Sequence, residues 1–578
     1  MSGCDSRRDF IKGALAVGIV SEGDLAALDS DKPADVQNAA TRPRPRIMFY
    51  HDGRHPLSYM YEPPMQKEEC EAAVDELAGT PVEALMFCLG DGRTMLHDTK
   101  VGELWGHNVD EWSHLIFRRT YQNTKGLIEE GHDPLRVVCD RAHDMGILLY
   151  PTLLVQLESG VRGGGGYDVR SSNFRLDNKH LDIGGQGDLD PSFPGYNCAD
   201  FKHQRVRDER FAIISEVLTK YPVDGFELHL NFWPYYFHPN EIEAGRAIMT
   251  QWIAQVHEAV KRSGSSRELV ISIPASVKTC LSRGLDPEEW IRRGIVDVLV
   301  AHKPARPELM DPNSTLIVYE DWLLEDIRSL VELAGGSECR VHAAIDSHLD
   351  SDRIAEAPIE MIRAAACNYW DQGISGLYVS QWLGDWPYEA SFYEKLRELP
   401  YPDIMTCKDK FYHIPTLAGR YTKPGLTTQL PEKLEVSRPV ELQLTITDDL
   451  PRWDTVGRVH EVLLRFRIGN TTELDRLRFR LNGKVLPDTS LRKINEIYRM
   501  TAPRYRTGSC YWFIYRLDRD HWPRQGKNTI EVTLTQHDPG VLTEVFVRDV
   551  ELETKYLMGK NFHRSQELDL GPSEPSGE

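Results

Sequence analysis

The chain has 578 residues, 41% hydrophobic and 27% charged, a core-forming composition that excludes a disordered or collagen-like protein. Lys+Arg 68 against Asp+Glu 88 leaves a formal net charge of −20, and no basic patch stands out, which argues against a nucleic-acid partner. No stretch approaches ~18 consecutive apolar residues, so no membrane-spanning helix is expected in the body of the protein.

Residues 1–45 read as an address and a linker. Ser6-Arg7-Arg8-Asp9-Phe10-Ile11-Lys12, followed by the apolar run Gly13–Val20, resembles a twin-arginine export signal, which implies a periplasmic or extracellular protein. The apolar run ends early, at Glu22 and Asp24. The 10 cysteines include no CxxC pair, which excludes a zinc ribbon or a thioredoxin-like site.

From 46 to 404, short β-rich runs alternate with segments of helical apolar spacing, the pattern of βα units around a parallel sheet. The predicted strands are Ile47–Tyr50, Ala84–Leu89, Ile147–Leu154, Gly225–Leu230, Leu269–Ile273, Val296–Val300, Val341–Ile345 and Gly376–Ser380. Helix-like stretches between them include Asp208–Lys220, Glu241–Arg262, Pro287–Arg293 and Pro358–Gln372. Eight such units predict an α/β protein with a (β/α)8 TIM barrel, and Leu316–Tyr319 is read as an insertion between the sixth and seventh strands. A doubly wound sheet is the competitor, but no GxGxxG follows the first strand, and Gly163–Gly166 reads as a flexible loop. From 405 to 563 the rhythm changes to period-two strands, Val440–Ile446, Val462–Ile468, Arg476–Leu481, Tyr511–Leu517, Thr529–Leu534 and Val545–Glu553, with a hairpin signal at Asn482-Gly483. This predicts an accessory antiparallel β-sandwich, followed by a disordered tail over 564–578.

A barrel of this kind places its chemistry at the C-terminal ends of its strands. Those ends read His51-Asp52-Gly53-Arg54, Gly90-Asp91-Gly92-Arg93, a loop of about fifty residues from Gln156 to Arg205, Glu227 to Trp233, His302-Lys303, Asp346-Ser347-His348 and Gln381 to Trp386. In the fourth strand Glu227, His229 and Asn231 are spaced two apart, so all three point to one side, while Phe226, Leu228 and Leu230 point to the other. Inward polar groups near a barrel mouth either serve a ligand or form a network that braces the barrel.

Tyr221-Pro222-Val223-Asp224-Gly225-Phe226-Glu227-Leu228, preceded by Arg205-Val206-Arg207-Asp208, and Arg141-Ala142-His143-Asp144-Met145-Gly146-Ile147 resemble the glycoside-hydrolase-like (β/α)8 proteins of bacterial polysaccharide-degrading systems, which often carry a C-terminal β-sandwich. The resemblance covers about 46 to 555 and implies carbohydrate chemistry. Many relatives carry Asp where this chain has His229 and Arg where it has Phe232. Glycoside hydrolysis needs two carboxyls, one to protonate the leaving oxygen and one to act as nucleophile or base. Glu227 is expected as general acid/base and Asp346 as nucleophile or stabiliser, with Glu320 and Asp385 in reserve; Asp346 could equally cap a helix. His51, Arg54, His229, Asn231, Trp233, Tyr235, His302, Gln381, Trp382 and Asp385 are expected to bind the sugar, with Tyr236 and Trp386 as further aromatic faces. Arg54 and Lys303 would suit an acidic sugar.

No cofactor is expected. Three alternatives remain open at this level. His51, His229, His302 and Asp346 could hold Zn²⁺, although HExxH is absent. His229 beside Glu227 could abstract a proton next to a uronate carboxylate, as a lyase does. The barrel could also bind glycan without turnover.

Overall fold

Eight apolar runs, each five to eight residues long, are bounded by turns and helices that force successive runs to lie parallel. They are β1 (Ile47–His51), β2 (Ala84–Asp91), β3 (Leu148–Leu154), β4 (Gly225–His229), β5 (Glu268–Pro274), β6 (Val298–His302), β7 (Arg340–Asp346) and β8 (Gly376–Ser380). The computed structural model describes residues 44–157, 160, 168–303, 322–347, 357–380, 393–414, 429–495 and 510–558. The export-signal reading, Gly163–Gly166, Leu316–Tyr319, Glu320, His348, Gln381, Trp382, Asp385, Trp386 and the tail all lie outside those residues.

Each strand pairs in parallel with the next, and β1 pairs with both β2 and β8, which closes the sheet into an eight-stranded barrel. Among the intervening helices are α1 (Lys67–Asp75), α2 (Leu115–Glu129), α3 (Pro134–Asp144), α4 (Gln204–Lys220), α5 (Ile242–Ser263), α6 (Pro287–Arg292), α7 (Trp322–Ala334) and α8 (Ile359–Asp371). Strand parity sorts the side chains. Ile47, Phe49, Leu85, Phe87, Phe226 and Leu228 join the large core beneath the helices, whereas Met48, Tyr50, Met86, Val270, Val300 and Tyr378 fill the barrel interior.

Side chains cross the floor of the barrel, at the N-terminal ends of its strands. Tyr150 donates its hydroxyl to Glu268 Oε2 at 3.0 Å, and Arg340 Nη2 donates to Glu268 Oε1 at 2.6 Å. Tyr150 lies over Gly225 and His342 over Gly376 so closely that a Cβ at those glycines would stand 2.3 Å and 2.5 Å from the rings.

The C-terminal region forms two antiparallel sheets. One has the order β9 (Lys410–Ile414), β18 (Val545–Tyr556), β12 (Val459–Gly469), β16 (Tyr511–Arg516), β15 (Leu491–Asn495), with β10 (Glu432–Leu434) also on β18; the other runs β11 (Pro439–Ile446), β17 (Gly526–Gln536), β13 (Arg476–Leu481), β14 (Lys484–Val485). Asn482 and Gly483 form the β13–β14 turn with φ of 49° and 82°, the left-handed pair that the Asn-Gly signal predicts. The sheets bury Leu442, Leu464, Phe466, Phe479, Phe513 and Val532 between them as a sandwich.

The barrel and sandwich share side chains. Phe411 of β9 packs in the barrel core, and Ala364 of α8 packs in the sandwich core. Asn368 of α8 donates to the Thr445 carbonyl at 3.2 Å. Among the described residues none of the nine cysteines is in a disulfide, and no helix is long and apolar enough to cross a membrane.

Two buried imidazoles, His97 and His342, have no hydrogen-bond partner on either ring nitrogen. Burial pushes their pKa values down to about 4 and about 3. The unfolded chain therefore binds protons below about pH 6.5 that the folded chain refuses, so stability falls as pH drops through this window. Urea denaturation of wild type and His97→Phe is expected to show that the substitution flattens the slope of stability against pH between 6.5 and 4, by up to about 1.4 kcal/mol per pH unit for one proton.

Candidate active site

The inward positions of β4 are Glu227 and His229, because Phe226 and Leu228 are drawn into the helix-covered core on the other side. Glu227 is fully buried. Thr152 Oγ1 donates to its Oε2 at 2.6 Å, Ser272 Oγ donates to Oε1 at 2.5 Å, and the Tyr378 hydroxyl lies 3.0 Å from both oxygens. His229 Nδ1 completes the set at 3.2 Å from Oε1. Hydroxyl and imidazole donors complement the acceptor-only oxygens of a carboxylate. Sequence reasoning placed Glu227 against a leaving oxygen; the geometry instead engages both its oxygens with protein donors and puts His229 next to it. A carboxylate on Nδ1 fixes the imidazole tautomer with its proton there, leaving Nε2 as an acceptor.

Around His229 lie three more rings. His302 is 5.0 Å away at 72°, Tyr50 is 5.8 Å away, and Tyr378 packs 5.2 Å from His302. Burial lowers the pKa of His302 well below the usual imidazole value, and His229 beside it adds to the effect. Burial also raises both tyrosines well above the ordinary phenol value, so they remain neutral donors.

Asp346 ends β7 and pairs in register with Ser380 of β8. It is buried, and burial raises its carboxyl pKa; Lys303 and a hydrogen bond from Ser380 oppose that shift without cancelling it. Lys303 Nζ stands 3.7 Å from Asp346 Oδ2. Asn231 Nδ2 donates to the Lys303 carbonyl at 2.9 Å, which ties the segment after β4 to the segment after β6.

Other expected ligands are committed elsewhere. Arg54 is held between Asp52 at 2.5 Å and Asp91 at 3.0 Å. Burial pushes the Asp91 carboxyl up, but Arg54, Arg170 and the Trp105 indole outweigh it and hold it below the carboxylate range. His51 lies on the outward side of β1, stacked on Phe87 at 5.4 Å, with Nδ1 accepting from the Gly53 N–H at 3.0 Å. Burial, with His55 nearby, brings its pKa down to about 3, so it acts as a neutral packing residue.

The aromatic run after β4 anchors a loop. Tyr235 is buried with Ile183 and Cys198, with Phe193 and half-buried Trp233 against them, and the Arg283 guanidinium lies 4.1 Å over its ring. Tyr236 is in the main core, its hydroxyl donating to the Leu230 carbonyl at 2.8 Å. Gln156, fully buried, donates to the Ala199 and Tyr235 carbonyls at 2.7 Å and 2.6 Å and so staples the long loop to the segment after β4. Phe232 packs on the apolar interior of the barrel.

Among the described residues no group of three or more His, Cys, Asp or Glu side chains is placed to hold a metal ion. Of the set weighed for Zn²⁺, His51 faces away from His229 and His302, since it occupies the outward parity of its strand. Sequence reasoning missed Tyr50, Thr152, Ser272 and Tyr378. Each is a polar residue at an inward position of an apolar strand, and that parity was the available signal.

No family model matches the chain, and no curated protein matches it. Solved structures do. The endo-beta-1,4-mannanase of Thermotoga petrophila is 12% identical over 90% of this chain and 99% of its own, with a TM-score of 0.43. The endo-1,4-beta-mannanase of Rhizomucor miehei is 11% identical over 64% of this chain and 97% of its own, with a TM-score of 0.39. The alpha-amylase of Geobacillus thermoleovorans is 11% identical over 85% of this chain and 99% of its own, with a TM-score of 0.36. The barrel stands on its own strand pairing.

Proposed function

We propose that the chain is a glycoside hydrolase acting at the C-terminal mouth of its barrel. The observation that carries the reading is the Glu227–His229 contact, an imidazole aligned by a fully buried carboxylate. The motifs at 141–147 and 221–228, which resemble those of glycoside-hydrolase-like barrels, supply the substrate class. His229 Nε2 takes a proton from the attacking water, and Asp346, made a weaker acid by burial, gives its proton to the leaving oxygen. Glu227 is then a positioning residue, which revises the general acid/base role expected for it.

A second reading is favoured by the same contact together with Lys303 beside Asp346. An oriented imidazole can remove a proton next to a uronate carboxylate while a cation offsets the carboxylate charge, which would make the protein a lyase. Reducing-end release from a panel of neutral and acidic polysaccharides, read alongside the absorbance of unsaturated sugars, separates the two.

For the hydrolase, His229→Ala and Asp346→Asn are each expected to lose at least ~100-fold in kcat, the scale of general acid–base catalysis. Unchanged rates in both variants would sink the assignment. Activity is expected to fall as pH rises through the pKa of Asp346, on an alkaline limb placed above the usual Asp value, and that limb should vanish in Asp346→Asn.

Tyr378→Phe tests the positioning role. It removes a hydroxyl bonded to both oxygens of Glu227, so kcat is expected to fall with KM nearly unchanged. Urea denaturation should show a loss of ~1.5–3 kcal/mol, typical for a hydrogen bond to a charged group.

A further inference from the structure

Of the two imidazoles at the mouth, one is tied to the protein and the other is not. His229 is tied to Glu227, but His302 Nε2 is buried without a hydrogen-bond partner, on a side chain only 6% exposed. Buried polar atoms in native proteins are nearly always paired, so an orphan calls for an explanation. His97, His238 and His342 also hold unpartnered ring nitrogens, but they sit elsewhere: His342 lies on the floor against Gly376, His97 packs edge-on against Tyr221 after α4, and His238 Nε2 faces the Asp188 carboxylate at 3.9 Å in the segment before α5.

His302 differs from them in its address. It is the last residue of β6, inward by parity with Val298 and Val300, at the end of the barrel where Asp346 and His229 also stand. Its ring is held by near-perpendicular contacts with His229 at 5.0 Å and Tyr378 at 5.2 Å, so a ligand would meet it already oriented. Burial keeps it neutral. A neutral imidazole offers one donor and one acceptor and no charge, which suits a hydroxyl better than a carboxylate.

We propose that His302 Nε2 is completed by a hydroxyl of a neutral sugar unit bound at the mouth, making His302 a specificity-determining residue. The inference rests on the glycosidase reading and narrows it from sugars in general to a unit that presents a hydroxyl, not a uronate carboxylate, to this ring.

The test uses p-nitrophenyl glycosides of neutral hexoses and of the matching uronic acids, together with singly deoxygenated versions of the neutral set. Wild type is expected to prefer the neutral glycosides and to lose at least ~100-fold in kcat/KM when one particular hydroxyl is missing, because a site built to bond a hydroxyl rejects the analogue without it. His302→Phe should lose that much on the parent glycoside and no longer discriminate against the deoxy analogue, while His302→Gln should recover part of the preference. The ring ¹⁵N signals of His302 should move on adding the parent glycoside and stay in place with the deoxy one.

Thermal melts confirm that both variants fold, and either folded variant is sufficient for the comparison. If cleavage requires Asp346 and His229 but a folded His302 variant discriminates as wild type does, or if uronides are preferred, this inference falls and the hydrolase reading stands. If wild type neither binds nor cleaves any glycoside, the hydrolase reading falls and takes this inference with it.

Discussion

A carboxylate buried away from solvent is costly unless its oxygens are met by donors, and here the barrel itself supplies them. Glu227 imposes that constraint here. Its partners come from β3, β5 and β8 as well as its own strand, so a register slip in any of them would cost the buried carboxylate one of its donors. The same bonds that hold the carboxylate aim His229, and His229 in turn packs against His302. The geometry of the mouth is thus a consequence of how the interior solves one solvation problem.

The sandwich bears on the mouth through α8. That helix joins β7, which ends in Asp346, to β8, which carries Tyr378 and Ser380, and its far side is covered by the sandwich. Phe411 reaching into the barrel core and Ala364 into the sandwich core make the boundary an interlock of packed side chains. Arg363 strengthens it by donating to the Asp409 carbonyl at 3.3 Å and to Glu398 at 2.7 Å. The physical role visible for the sandwich is therefore to hold one helix, and through it the two strands that carry Asp346 and Tyr378.

How much of this was legible in the sequence depends on the range of the interactions. The eight barrel strands were readable because each is a local apolar run; the β5 boundaries moved only from 269–273 to 268–274. The strand Lys410–Ile414 was missed because Phe411 and Tyr412, adjacent in sequence, are both buried, one in each core, so no alternation shows. Leu491–Asn495 was missed as a mostly polar edge strand. The inward parity of Glu227 and His229 was legible, but the donors on Glu227 lie 45, 75 and 151 residues away, and nothing in β4 predicts them. Tyr235 was expected at the mouth for the same reason: the residues that bury it, Ile183 and Cys198, arrive from the far end of a long loop.

The filled floor has a consequence of its own. With Tyr150 over Gly225 and His342 over Gly376, and Met48, Tyr50 and Val300 in the interior, side chains occupy the barrel from its floor upward. A ligand of the Glu227–His229 end would therefore arrive and depart on the same side. The opposite end, the floor, is left free to serve stability alone.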